Sequence, residues 1–283
     1  MKAEVADLMA KAEAADTADI PDGMSIPEEL ALREERLRKI AAARAKIEAR
    51  AKERHGRERA DHEAKLAARA AKTAATGKKP GGKPPRPPTE GALPKDQINL
   101  TDEDSRIMPV AGGGFDQCYN AQAAVAAGSM LVVAVDVVQT PNDKQQIEPM
   151  LDKIGALPTE LGETENLLAD TGYFSGANVE ACEKAGVEPV IAMGRQPHHP
   201  PLDERFEKAP PTPVEAMAHR LKTPEGRKLY ALRKQTPEPV FGIIKSVLGF
   251  RQFSLRGLEK ARGEWSLVTM AWNMKRMFAL AAA

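Results

Sequence analysis

The sequence predicts a mixed α/β domain, preceded by a long helical arm and a disordered linker rich in Pro, Lys and Gly. Three observations carry that expectation. From Ser25 to about Ala75 the chain is built of Ala, Arg, Lys, Glu and Leu, all good helix formers. Thr76 to Gln97 holds six prolines, four glycines and five Lys or Arg, a mixture that supports neither a helix nor an interior strand. From Asn99 onward the hydrophobic period switches repeatedly between two and 3.6, the mark of alternating strands and helices. The expected divisions are residues 1–75, a helical arm or hairpin; residues 76–98, a disordered basic linker; and residues 99–283, the α/β domain, with a proline-rich loop near 194–213.

Composition agrees. Of 283 residues 42% are hydrophobic, enough for a core, yet aromatics are 4%, charged residues 29% and prolines number 22, so part of the chain lies outside a packed globule. Two cysteines, Cys118 and Cys182, and no signal peptide point to a reduced cytoplasm. The longest apolar stretch, Met130 to Val138, is interrupted by Asp136 and is too short to span a bilayer, so no membrane partner is expected.

Met1 to Asp19 supports a short helix. Ser25, Pro27 and Glu28 form a helix start with a capping box. Two long polar helices follow, or one kinked at Gly56. Their large apolar residues are Leu30, Leu32, Leu37, Ile40, Ile47 and Leu66, a thin stripe that suits a solvated arm or coiled-coil-like hairpin, with packing on a partner or on DNA as the alternative. His55 and His62 read as surface residues. The KKPGGK run lacks the Gly-Lys-Ser/Thr ending and the preceding strand of a phosphate-binding loop.

In the α/β domain CYNAQAAVAA and MLVVAVDVVQ form a hairpin about Gly128-Ser129. A helix starts near Gln145, and ENLLAD is a short buried strand that ends in Asp170. SGANVEACEKAG is a helix from Ser175 or Asn178 to Gly186, and VEPVIAM is another strand. Gly194 to Pro213 reads as a loop, and its His198-His199 pair as exposed, since adjacent side chains rarely converge on one ion. PEPVFGIIKSVLG is a helix from Glu238 to Gly249, with proline at its opening. The tail is a core helix in which Trp265 and Trp272 are packing anchors. This order is what a ribonuclease-H-like layer gives after its first strand. Asp170, ending a strand, and Glu238, opening a helix, would meet at one edge of that sheet.

Charge singles out the same region. From Arg220 to Arg262 eleven Lys and Arg face three Glu, in a chain of net charge +1, and Phe241, Phe250 and Phe253 are interleaved with them. Such a surface seeks phosphate and is anchored to a core. Glu238 alone is equally a first-turn carboxylate favouring the helix dipole.

Tyr230, Arg233, Glu238 and Lys245, followed by GFRQFSLRGLEK and EWSLVTMAWNMKR, resemble the C-terminal end of bacterial insertion-sequence transposases of the DDE type. There, two residues separate Tyr from Arg, three Arg from Glu and six Glu from Lys. Here four residues separate Arg233 from Glu238, so Arg233 or Lys234 fills the arginine role. LLADTGYFSG resembles the family's Asp-x-Gly-Tyr element, and GFDQCYNAQAAV and the Asn142-Asp143 pair recur in the group. The resemblance covers Thr101 to Arg276. It implies metal-dependent cleavage and strand transfer of DNA. Asp170 and Glu238 would be catalytic and hold Mg²⁺ or Mn²⁺, while Tyr230, Arg233, Lys245, Arg251 and Arg256 would meet the DNA backbone. The implied partners are transposon ends and target DNA, with a homo-oligomer as a further option and a nucleoid-associated, cytoplasmic location. Such chemistry is an in-line displacement at phosphorus, and carboxylates are the ligands a hard divalent cation prefers.

Three carboxylates make the family's usual set. The first belongs on a strand before the hairpin, and no β-rich segment lies upstream of Asn99. Asp136 is mid-strand, in the wrong element, and Asp143 reads as a turn residue. The chain is therefore expected to be a fragment with an incomplete ribonuclease-H-like sheet, inactive alone. The alternatives are a catalytically inactive DNA-binding remnant or regulator occupying transposon ends, and a helical scaffold protein.

Overall fold

The computed structural model describes residues 2–15, 26–78, 81–110, 112–194 and 212–282. The chain divides into two compact units, Met1–Glu103 and Asp104–Ala283.

The first unit contains α1 (Lys2–Ala15) and α2 (Ile26–Thr76), a single helix of 51 residues that runs through Gly56 without interruption. At 1.5 Å per residue it is about 76 Å long. Good helix formers on both sides outweigh the cost of one glycine, roughly 1 kcal/mol. Ion pairs one turn apart, Glu29 with Arg33, Glu35 with Lys39, Arg44 with Glu48 and Arg59 with Glu63, lace its exposed faces. Ser25 of the expected capping box lies outside the described residues; Glu28 and Glu29 occupy the first turn.

The segment after α2 has neither helix nor strand over residues 81–99, as its prolines and glycines require. It lies antiparallel along α2. Arg69 donates to the carbonyls of Gly81 and Gly82, and His62 bonds to Pro85 O. Arg54 then grips both oxygens of Asp96 (2.8 and 2.9 Å) as well as Gly91 O, and Arg50 and Lys46 reach Glu103. Arginines that seemed merely solvated along the arm satisfy several carbonyls of this segment.

The second unit opens with β1 (Arg106–Pro109) and β2 (Phe115–Cys118), an antiparallel hairpin absent from the sequence expectations. Its turn contains Gly112, Gly113 and Gly114 at φ of +95°, +91° and +90°, backbone that only glycine adopts without strain. The expected hairpin is β3 (Asn120–Val125) with β4 (Val132–Val138), antiparallel. Next come α3 (Ile147–Gly155), β5 (Asn166–Ala169), α4 (Gly176–Lys184) and β6 (Glu188–Ile191), with β5 and β6 parallel. Ser175 caps α4 through Asn178 N (3.1 Å).

Four more helices complete the unit: α5 (Pro213–Lys222), α6 (Pro224–Ala231), α7 (Pro237–Ser246) and α8 (Leu258–Ala281). Pro213 and Pro224 open α5 and α6 behind the capping hydroxyls of Thr212 and Thr223. His198 and His199 lie outside the described residues.

Among the described residues six strands form three two-stranded ladders, where one mixed sheet was expected. Among the described residues no ladder hydrogen bond joins β3 to β5, and side chains bridge that gap. Two cores hold the unit. One packs α3, α4, β5, β6 and α5 around Val179, Val190, Ile191 and Met217. The other packs the β3–β4 hairpin, α7 and α8 around Val137, Val240, Ile244, Trp265 and Trp272. Both tryptophans are packing anchors, 3% and 4% exposed, and each indole N–H donates to a hairpin carbonyl, Gln122 O and Met130 O (both 2.9 Å).

Candidate active site

Asp170 directly follows β5. With φ −83° and ψ −178° it caps a single 3-10 turn, Thr171–Tyr173, by accepting from Gly172 N at 2.8 Å. This local bond ends the strand and leaves the carboxylate exposed. Gly172 is also where a second carboxylate approaches: a Cβ added there would stand 3.0 Å from Asp170 Oδ1 and 3.4 Å from Asp143 Oδ2. Asp143 does lie in the turn before α3, as expected, but its side chain points inward. Its Oδ1 accepts from Asn120 Nδ2 and Gln122 Nε2, both at 2.8 Å. The Tyr173 hydroxyl donates to Gln122 Oε1 at 2.6 Å. Burial, and then the charges of Asp143 and Asp170, push the Tyr173 phenol well above its ordinary range.

Glu238 occupies the first turn of α7 and is exposed. Val240 and Ile244 are buried against Trp265, which turns the opposite edge of the helix outward. Lys245 is exposed on nearly the same face, two turns or about 10 Å further along. Arg233, in the short 3-10 helix Leu232–Gln235, pairs with Glu238 Oε1 at 3.4 Å and lies 5.7 Å over the Tyr230 ring. Its side chain is 19% exposed, whereas Lys234 lies exposed. Tyr230, Arg233 and Glu238 therefore form one cluster despite the irregular interval.

Arg251 and Arg256 are exposed on the segment between α7 and α8. That segment is pinned by the Glu264 carboxylate, which accepts from Ser254 N and Leu255 N, and by Asp104, which accepts from Leu258 N. Phe250 and Phe253 pack edge to face beneath it (5.5 Å). Basic side chains are thus displayed from a fixed backbone.

The recorded contacts group Asp170 with Asp143, Gln122 and Tyr173, and Glu238 with Arg233 and Tyr230. Tyr173 and Tyr230 both pack on the same core. Among the described residues no set of three His, Cys, Asp or Glu side chains converges as a metal-holding group. Asp136 is committed elsewhere: it pairs with Lys153 (2.9 Å) and Arg262 (3.1 Å) and is 12% exposed. Sequence reasoning missed Asn120 and Gln122. Their i, i+2 spacing on a strand, which puts both on one face, was the available signal.

The family model for the transposase DDE domain matches residues 95–274. The chain belongs to that family, the insertion-sequence DDE transposases, whose function is DNA transposition and whose substrate is DNA. No curated protein and no solved structure matches the chain. Among the described residues no helix is long and apolar enough to cross a membrane.

Proposed function

We propose that the Asp104–Ala283 unit carries out the strand cleavage and transfer of transposition, with Asp170 and Glu238 as two of the reacting carboxylates. The observation that carries this reading is the Arg233 bridge between Tyr230 and Glu238, which assembles the family's Tyr-Arg-Glu group across an interval one residue too long. Asp170 and Glu238 are exposed hard-oxygen donors, the chemistry Mg²⁺ or Mn²⁺ requires. When bound there, such an ion activates the attacking oxygen and stabilises the leaving one. Arg233 orients Glu238 through their 3.4 Å ion pair. Lys245, Arg251 and Arg256 hold the phosphate backbone, contacts that position DNA without reading its sequence.

The third carboxylate of the family's set has no assigned position here, so the reading includes weak cleavage by this chain alone and recovery when a strand bearing an aspartate is supplied. The second reading, a DNA-binding regulator that does not cut, is favoured by the exposed basic side chains of Lys245, Arg251 and Arg256, which can bind phosphate whether or not a metal is held. Mn²⁺-dependent nicking of a duplex carrying the element's own ends separates the two. The first requires nicking that Asp170→Ala and Glu238→Ala abolish; the second requires salt-dependent binding that both variants retain.

A further inference from the structure

Resting on Asp170 as a reacting carboxylate, we propose that Gln122 is a positioning residue that locks the Asp170–Tyr173 turn to the β3–β4 hairpin through Tyr173 and Asp143. Gln122 lies mid-strand in β3 and is 3% exposed. Its amide is used at both ends: Oε1 accepts from the Tyr173 hydroxyl (2.6 Å), while Nε2 donates to Asp143 Oδ1 (2.8 Å) and Asn120 Oδ1 (2.9 Å). Asn120, on the same strand face, adds a second donor to Asp143 Oδ1 (2.8 Å) and is itself held by Thr140 O (3.2 Å). With Oδ1 doubly occupied, Asp143 presents Oδ2 toward Gly172. From the other side Trp265 Nε1 donates to the Gln122 carbonyl, so the strand is fixed to the core at the same residue.

The residue type is demanded by the chemistry. A glutamine amide accepts from the phenol with its oxygen and donates to the carboxylate with its nitrogen; a glutamate would face Asp143 with like charge, and a leucine would satisfy neither neighbour. The location matters as much. No ladder hydrogen bond links β3 to β5 among the described residues, so this relay takes the place of strand pairing between the hairpin and the turn that carries Asp170.

The test uses the full chain and two readouts. The first is the ¹⁵N order parameter of the Gly172 amide, with Trp fluorescence reporting that each variant is folded. Tyr173→Phe and Gln122→Leu should drop that order parameter from the rigid range, about 0.85, to below about 0.6 while the β5–β6 amides stay rigid. An unchanged value in the folded Tyr173→Phe protein overturns the proposal. The second is Mn²⁺ affinity by calorimetry. Gln122→Glu should weaken it about tenfold, and adding Asp143→Asn should bring it back to within about threefold, because the swapped pair again offers one donor and one acceptor; a loss that Asp143→Asn does not relieve counts against the lock. If Asp170→Ala leaves Mn²⁺ affinity untouched while the order parameter falls as stated, the lock stands and the reading of Asp170 fails.

Discussion

Arg233 reaches Glu238 across a 3.4 Å ion pair while its guanidinium lies over the Tyr230 ring, so one cation joins an aromatic and a carboxylate from two successive helical elements. The planar fork can do both at once, which a lysine cannot. Arg233→Lys should reduce Mn²⁺-dependent DNA cleavage, or Mn²⁺ affinity where cleavage is weak, by about tenfold. Lys234→Ala should stay within about twofold, and equal losses at the two positions would remove the reason for assigning the arginine role to Arg233.

Gly172→Ala should act locally. The added Cβ would press against Asp170 Oδ1 at 3.0 Å and approach Asp143 Oδ2 at 3.4 Å, both side-chain atoms that can shift. The expected cost in stability is small, under about 1.5 kcal/mol, but the carboxylates must move. Mn²⁺ affinity should therefore fall several-fold with little change in melting temperature.

Asp136 gives a pH dependence of stability. Burial alone would raise its pKa, but the Lys153 hydrogen bond, the Val137 N–H and the charges of Lys153 and Arg262 outweigh burial and depress it below the ordinary aspartate range. A carboxylate depressed in the folded state stabilises the fold above its unfolded pKa and loses that contribution as pH falls through the folded value. Asp136→Asn should cost about 1–2 kcal/mol at pH 7, discounted because both cations are about 40% exposed. Urea melts of the parent and variant should converge as pH falls below the ordinary aspartate range.

Asn273 in α8 imitates a neighbouring strand. Its Oδ1 accepts from Val132 N (2.8 Å) and its Nδ2 donates to Val132 O (2.7 Å), satisfying both backbone groups of an edge residue in β4. Asn273→Leu removes both partners at once and should destabilise the unit by about 1–3 kcal/mol. Chemical unfolding followed by Trp272 emission measures it directly.

Much of this was legible in the sequence because it rests on local rules. Hairpin β3–β4 follows from alternation around Gly128-Ser129, α7 from prolines flanking Glu238, and the burial of Trp265 and Trp272 from helical spacing. The β1–β2 hairpin was overlooked because its four-residue strands are too short for alternation to register, although the triple glycine marked the turn. Residues 76–98 read as a disordered linker, and residues 99–103 as the start of the α/β domain, because composition describes only what a segment can do alone. Their carbonyls are met by Arg50, Arg54 and Arg69 on another element, a pairing no local pattern displays. The roles of Gln122 and Asp143 were hidden for the same reason, since the contact with Tyr173 spans 51 positions.

Calorimetric titration of Mn²⁺ into the parent, Asp170→Ala, Glu238→Ala and the double variant asks whether the two carboxylates share one ion. Joint ligation predicts that either single change weakens binding at least tenfold and that the second adds little to the first. Two independent losses that simply add, or binding unaffected by either change, would mean that Asp170 and Glu238 do not hold a common cation.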